Sequence, residues 1–272
     1  MAFLNRLMAS LNGQMNRPVP YQGFAESWLH YLALVLVVLA TVVAVTRLKR
    51  DDDRAIRHFV LGVALVMIVF EIYKQLNFSY TNNWNYRWYA FPFQFCSTPM
   101  YVALLAGLLT KGKVQDALYA FLATFGLFAG VAVMIHPNDV FVTTTGINIQ
   151  TMVHHGAMAV MGIALLAKRV RLEHRVILGA TVVFAITLIM AMGLNTWHNT
   201  FIQEGTFNMF FINPLYGTHL PILSIIYDLV PYPAFLFIYT VGFGLVAYLM
   251  LLIGMGVSKI MVKRPAETYE LQ

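Results

Sequence analysis

Apolar residues run along the chain in long blocks broken by short polar connections. Seven blocks approach the roughly 20 residues that a helix needs to cross a bilayer core of about 30 Å. They cover about 28–46, 59–76, 90–110, 117–135, 148–167, 176–194 and 233–256. The pattern predicts an all-α fold, a polytopic membrane bundle of seven transmembrane helices over residues 27–257. The first block lacks an A-x-A-like cleavage site and follows a long polar start, so it reads as a span and not as a signal peptide. Within residues 1–26, AFLNRLMASLN places Phe3, Leu4, Leu7, Met8 and Leu11 on one face at helical spacing. That spacing predicts a short amphipathic helix lying in the interface. Residues 258–272 form a tail too short to fold alone, and no internal repeat or soluble domain is present.

Composition agrees, with 59% hydrophobic residues, 11% charged residues and a mean hydropathy of +0.68, well outside the soluble range. The cations are placed unevenly. Arg47, Lys49, Arg50, Arg54, Arg57, Lys111, Lys113, Lys168, Arg169, Arg171, Arg175, Lys259, Lys263 and Arg264 fall on one side of the predicted bundle, against Arg6, Arg17, Lys74 and Arg87 on the other. Cytoplasmic loops carry the Lys/Arg excess, so the N-terminus is expected outside and the C-terminus in the cytoplasm. This asymmetry accounts for the net charge of +6, and no nucleic-acid surface is read from it. The cytoplasmic connections are short and charged and are expected to be solvated, without chemistry. The outer ones, NFSYTNNWNYRWY, HPNDVFVTTTG and the long stretch from Asn195 to Pro233, hold the uncharged polar and aromatic residues.

Candidate chemistry gathers at that outer end. The chain's only cysteine, Cys96, sits in FPFQFCSTPM between Pro92 and Pro99. It lies about 8–10 Å below the outer boundary at the helical rise, shallow enough for a lipid ester to reach. Prolines inside a span free backbone carbonyls, so a kinked or unwound turn is expected beside it. His154 and His155 enter the fifth span at a matching depth. Adjacent residues stand about 100° apart on a helix, so one imidazole is expected to face the bundle while the other does something else. Gln150 and Thr151 precede the two histidines by one turn each. Glu71 and Lys74 near the end of the second span, with Asp228 before the seventh, add charges expected to pair or to orient a histidine.

FPFQFCSTPMYVALLAGLL, FGLFAGVAVMIHP, the His155–Gly156 step, FNMFFINP and YDLVPYPAFLFIYTVGF together resemble the YwaF-type bacterial membrane family, from the second span to the seventh. An animal relative of that family, transmembrane protein 164, is described as an acyltransferase acting on ether phospholipids. The resemblance implies a multi-pass protein of the bacterial plasma membrane, with phospholipids or lysophospholipids as substrates. It puts the family's cysteine on Cys96, its histidine on His155 and its loop asparagine on Asn208, where Met209 stands in place of the family's tyrosine. A thiolate can carry an acyl group as a thioester between two lipids once a base takes its proton. Cys96, His155 and His154 are therefore the candidate catalytic residues. Gln94, Gln150 and backbone N–H groups near Pro92 are the candidate oxyanion donors. No cofactor is expected. A metal-dependent lipid hydrolase using His136, His154, His155, His198 and Glu71 is the first alternative, but no H-x-x-x-H or H-E-x-x-H spacing puts two ligands on one helical face, and no metal is expected. A small-solute transporter or binding protein is another, although inverted repeats and paired broken helices are missing. The last is a structural protein in which these groups only pack.

The orientation has a direct test. A cysteine introduced at Asp52 in a Cys96→Ala background is expected to resist an impermeant thiol reagent in intact cells, and one at Asn83 to react; the opposite labelling pattern would invert the topology.

Overall fold

The computed structural model describes residues 2–262, and every element it contains is helical or irregular. A short helix α1 (Ala2–Leu11) precedes α2 (Phe24–Arg47) and α3 (Asp53–Tyr80). Next come α4 (Thr98–Leu108) and a long rod made of α5 (Lys113–Phe121), a π turn (Leu122–Gly126) and α6 (Leu127–Ile135). The chain continues through α7 (Thr145–Lys168), α8 (Val176–Trp197) with a terminal π turn (His198–Ile202), α9 (Leu223–Leu229) and α10 (Tyr232–Val262). Six of these rods are long and apolar enough to cross a membrane, and each overlaps one of the predicted spans. Lys263 and Arg264, and most of the predicted tail, lie outside the described residues.

The third predicted span is corrected. Residues 90–110 form helix only from Thr98, and the segment before it is unwound, with a single 3-10 turn at Trp88–Ala90. The prolines explain the boundary. Phe91, which precedes Pro92, takes an extended conformation (φ −48°, ψ 134°), as the residue before a proline must to avoid its ring. Pro99 sits in the first turn of α4, where no N–H is needed.

The α5–α6 rod and α7 form the centre. Each is 72% buried over its apolar window, against 17–33% for the other spans, so the remaining helices wrap this pair. Glycines let the two approach. A Cβ on Gly130 would come within 2.7 Å of the His155 carbonyl oxygen and 2.8 Å of Ala159 N, backbone atoms that have no room to yield. Gly162 likewise faces Leu127. In lipid, where apolar side chains gain little by leaving one another's company for the tails, such close contact is a main source of helix association. On the other flank, the rings of Phe121, Phe125, Phe184 and Tyr239 stack nearly parallel, joining this rod to α8 and α10.

The long connection after α8, expected on the outside, turns back into the bundle. Phe207, Met209, Phe210, Ile212 and Asn213 are all fully buried although the backbone is irregular, with left-handed φ at Phe210 and Phe211. Side chains supply the missing partners. The Asn195 carboxamide pairs with both N–H and C=O of Met209 (2.8 and 3.1 Å), and Gln94 accepts from Phe210 N (3.1 Å) while donating to Asn208 O (3.2 Å). Tyr239 and Tyr232 donate to the carbonyls of Phe210 and Ile212, and Asn213 donates to Phe207 O.

The opposite end is also more ordered than its charge pattern suggests. Arg169, expected in a solvated connection, has a side chain only 9% exposed. It bridges Asp53 (3.2 Å) and Asp116 (2.6 Å) and lies over the Tyr119 ring, tying α3, α5 and the end of α7 together.

Asn195→Ala would leave the Met209 N–H unpaired in a dry site, at about 1–3 kcal/mol, and would leave the Met209 C=O only its long bond from Ile212 N (3.4 Å). Thermal unfolding in detergent is expected to show a clear loss of stability for Asn195→Ala. Thr200→Ala, which removes only an exposed intrahelical bond, should stay within about 0.5 kcal/mol of wild type.

Candidate functional site

Cys96 occupies the turn that replaces the first part of the third span. Ser97 N and Thr98 N both donate to Gln94 O, and the Thr98 hydroxyl adds a third bond to the same carbonyl. The turn thus closes around Gln94, and the Cys96 carbonyl is left pointing at α7. There Nε2 of His154 meets it at 3.1 Å. A carbonyl only accepts, so Nε2 carries the proton, and Nδ1 of His154 keeps its lone pair, buried and without a partner. His155 is fixed in the other tautomer: Nδ1 donates to Thr151 O at 2.8 Å, which leaves the lone pair on Nε2. The two rings lie 5.7 Å apart at 62°. One imidazole therefore reaches across to the cysteine residue, and its neighbour is braced on its own helix. A backbone carbonyl that selects the tautomer in this way leaves the far nitrogen basic and aimed.

On the α3 side a buried ion pair completes the corner. Lys74 Nζ and Glu71 Oε1 are 2.8 Å apart, with Glu71 4% exposed. Both lie within electrostatic reach of Cys96. Gln75 donates from one amide to Glu71 Oε1 (2.7 Å) and to Ala90 O (2.6 Å), and accepts from the Tyr86 hydroxyl (3.0 Å). Burial, with Glu71 and Tyr101 adding to it, pushes the Tyr86 phenol up to about 12, so it stays a donor at neutral pH. A chain of polar contacts therefore runs from the end of the bundle down to Glu71 and Lys74.

The remaining predicted residues divide. Gln150 is buried one turn before His154, and its Oε1 accepts from the Thr151 hydroxyl at 3.5 Å. Gln94 and Asn208 are near the cysteine in sequence or space, but their amides are engaged in the buried loop, Gln94 with Asn208 O and Phe210 N, Asn208 with Gly217 O and Asn213 N. Asp228 is not brought to this corner. It is exposed on α9, a seven-residue helix with no buried residue, and has no ion pair among the described residues. His136 is exposed beyond α6, and His198 stacks flat on Phe207 with centroids 4.3 Å apart. Gln75 is not among the residues the sequence marks, though Glu71 and Gln75 stand at the i, i+4 spacing of helix neighbours, and Tyr86 reads there only as one of the interfacial aromatics.

Apolar space lies on the other side of α7. A groove of about 890 Å³ runs between α2, α3 and α7, lined by Leu32, Val37, Val63, Met152 and Gly156 among others. Gly156 directly follows His155, and a side chain there would strike Val37, so the glycine keeps this wall of the groove flat.

Comparison with known families gives one result. The chain belongs to the TMEM164 family, whose family model matches residues 23–253, from the start of α2 nearly to the end of α10. No curated protein and no solved structure matches the chain.

The buried pair yields a test. Lys74→Met would leave the Glu71 carboxylate uncompensated, a loss of about 3–5 kcal/mol for a buried pair broken on one side. Adding Glu71→Gln to Lys74→Met removes that charge and is expected to recover most of the loss in thermal unfolding, a non-additivity that two independent side chains would not show.

Proposed function

We propose that this member of the TMEM164 family is a membrane-embedded acyltransferase of the bacterial plasma membrane that moves acyl chains between phospholipids through a thioester on Cys96. The observation that supports the reading is the contact that joins the chain's only cysteine residue to α7, where His154 stands beside His155 and the two imidazoles are held in opposite tautomers. One of them holds the cysteine's own carbonyl across the helix interface.

The residues divide the chemistry as follows. His154 is the positioning residue, since its protonated nitrogen is used on the Cys96 carbonyl. His155 is the base, through the lone pair on Nε2, taking the thiol proton as the thiolate attacks the ester carbonyl of a donor lipid. The C–S bond forms, the C–O bond to glycerol breaks, and the departing alkoxide takes that proton to leave as a lysophospholipid. A second lysophospholipid then gives its hydroxyl proton to His155 and attacks the thioester. The C–O bond is remade and the thiolate leaves, to be reprotonated by the same imidazole. Atoms and charge balance with no oxidant and no cofactor. The N–H groups of Phe95 and Cys96, which close no turn in this segment, are the candidate donors for the oxyanion, since the Gln94 amide is engaged elsewhere. The apolar groove behind Gly156 has the size and lining that an acyl chain requires.

Lipid analysis of cells and of purified protein provides the test. Cys96→Ala is expected to abolish acyl redistribution and Cys96→Ser to slow it severely, with both variants folding, because the change removes little volume. His155→Ala should lower the rate by about 10²–10⁴, the usual contribution of a general base, and should also slow alkylation of Cys96 by a lipid-tailed electrophile. Turnover unchanged in both cysteine variants would remove the acyl-enzyme and return Cys96 to packing.

A further inference from the structure

A second pocket opens beyond the polar contacts that rise from Glu71. It encloses about 440 Å³ between the turn after α3 and the turn after α8, and is lined by Asn82, Tyr86, Arg87, Trp88, Glu204 and Gly205 with their neighbours. That volume lies within the ordinary range for small-ligand sites. The lining carries one cation and one anion, and they do not neutralise each other. Neither Arg87 nor Glu204 has an ion-pair partner among the described residues. Arg87 is held by a long bond from Nη2 to Thr81 O (3.5 Å), and its Nε is buried without any acceptor. An unpaired guanidinium nitrogen shielded from water costs free energy unless an anion reaches it.

The aromatic wall is rigid. Trp88 is packed edge-on by Tyr86, Trp197 and Phe207, and His198 sits 5.0 Å from it. At Gly205 the backbone is left-handed (φ +65°) and the space around it is open, so the glycine both makes the turn and leaves the pocket clear. A fixed indole and phenol beside a carboxylate make a suitable seat for an organic ammonium ion. The guanidinium on the same pocket suits a phosphate. The pocket is lined by residues that follow the Tyr80 end of α3, on the stretch whose Trp and Tyr content marks a membrane boundary.

From this arrangement we infer that the pocket binds the zwitterionic phosphodiester headgroup of a membrane lipid, with phosphate on Arg87 and ammonium between Glu204 and the Trp88–Tyr86 wall. It does so whether or not Cys96 transfers acyl groups. The carboxylate gives the site its selectivity: an anionic headgroup satisfies Arg87 but meets Glu204 as a like charge, whereas a zwitterion satisfies both.

The measurement is calorimetric titration of the purified full chain in nonionic detergent. The ligands are dihexanoyl phosphatidylcholine, dihexanoyl phosphatidylglycerol and glycerophosphocholine. Wild type is expected to bind the choline lipid about tenfold more tightly than the glycerol lipid. Glu204→Gln, a change on an exposed side chain that leaves the fold alone, should remove that preference by weakening the choline lipid. Arg87→Gln should weaken both lipids about tenfold, and Arg87→Lys should recover part of the loss. Equal affinity for the two lipids in wild type, or a preference that survives both Arg87→Gln and Glu204→Gln, would overturn the assignment. Glycerophosphocholine binding as tightly as the lipid would overturn the lipid as ligand and leave a soluble zwitterion in its place. The readout is binding and not turnover, so it stands or falls apart from the role of Cys96.

Discussion

Backbone that leaves the helix has to find its hydrogen-bond partners inside the protein once it is out of reach of water, because lipid tails offer none. Two segments of this chain meet that constraint, the turn at residues 91–97 and the loop at residues 207–213, and much of the polar content of the bundle is arranged to answer it. Gln94, Asn195, Asn213, Tyr232 and Tyr239 each serve a main-chain group of the buried loop. His154 does the same for the Cys96 carbonyl. With about 1–3 kcal/mol at stake for each unpaired group and only about 5–15 kcal/mol of total stability in a typical domain, losing two or three of these contacts would remove a large share of it.

This is why the Cys96 carbonyl can bond to another helix. In a continuous helix the carbonyl of residue 96 would be engaged four residues on, and α7 would have nothing to hold. Here the helix begins only at Thr98 and Met100 N donates to Ser97 O (3.1 Å), so the Cys96 carbonyl is left free and a histidine on a neighbouring helix takes it up. The partner helix is in turn held in register by Gly130, whose missing side chain lets α6 press against the backbone at His155. Packing between α6 and α7 thus sets where the imidazoles stand, and the proline turn sets where the thiol stands. A shift in either would part the His154 ring from the Cys96 carbonyl.

Much of this was readable in the amino-acid order, and the exceptions share one cause. Long apolar runs marked every full-length span, since length and hydropathy are local properties. Cys96, His154 and His155 stood out because ionisable groups are rare at membrane depth. The prolines foretold an unwound turn, although not its extent. What periodicity could not supply was the path of an irregular segment: FNMFFINP has no period, and nothing local says that it folds inward and not across the surface. Gln94 reads from sequence as an oxyanion donor and Asn208 as a supporting loop residue, and the amides of both hold up that loop. Asp228 read as part of the polar layer because it precedes a span, yet the short helix that carries it lies on the surface. Arg169 had the opposite fate, a residue of an apparently solvated loop whose two carboxylate partners come from distant parts of the chain.

The polar contacts from Tyr86 through Gln75 to Glu71 and Lys74 join two regions that differ in kind. At one end is an aromatic pocket with a cation and an anion that have no ion-pair partner among the described residues; at the other is a buried corner holding Cys96 and two imidazoles. Gln75 is the hinge of this connection, because its amide is shared by Tyr86, Glu71 and the Ala90 carbonyl, and Ala90 begins the segment that leads to Cys96. Any change in how Tyr86 sits is therefore felt by the backbone only six residues from the thiol. The ion pair below it is dry enough that its charges act over longer distances than they would in water. A ligand charge settling in the pocket would alter the surroundings of Tyr86 first and the Lys74–Glu71 pair second, and it would reach Cys96 by the same route. That order follows from which groups touch, and it makes Gln75, which is itself neither acid nor base, the residue through which the two ends of the site are coupled.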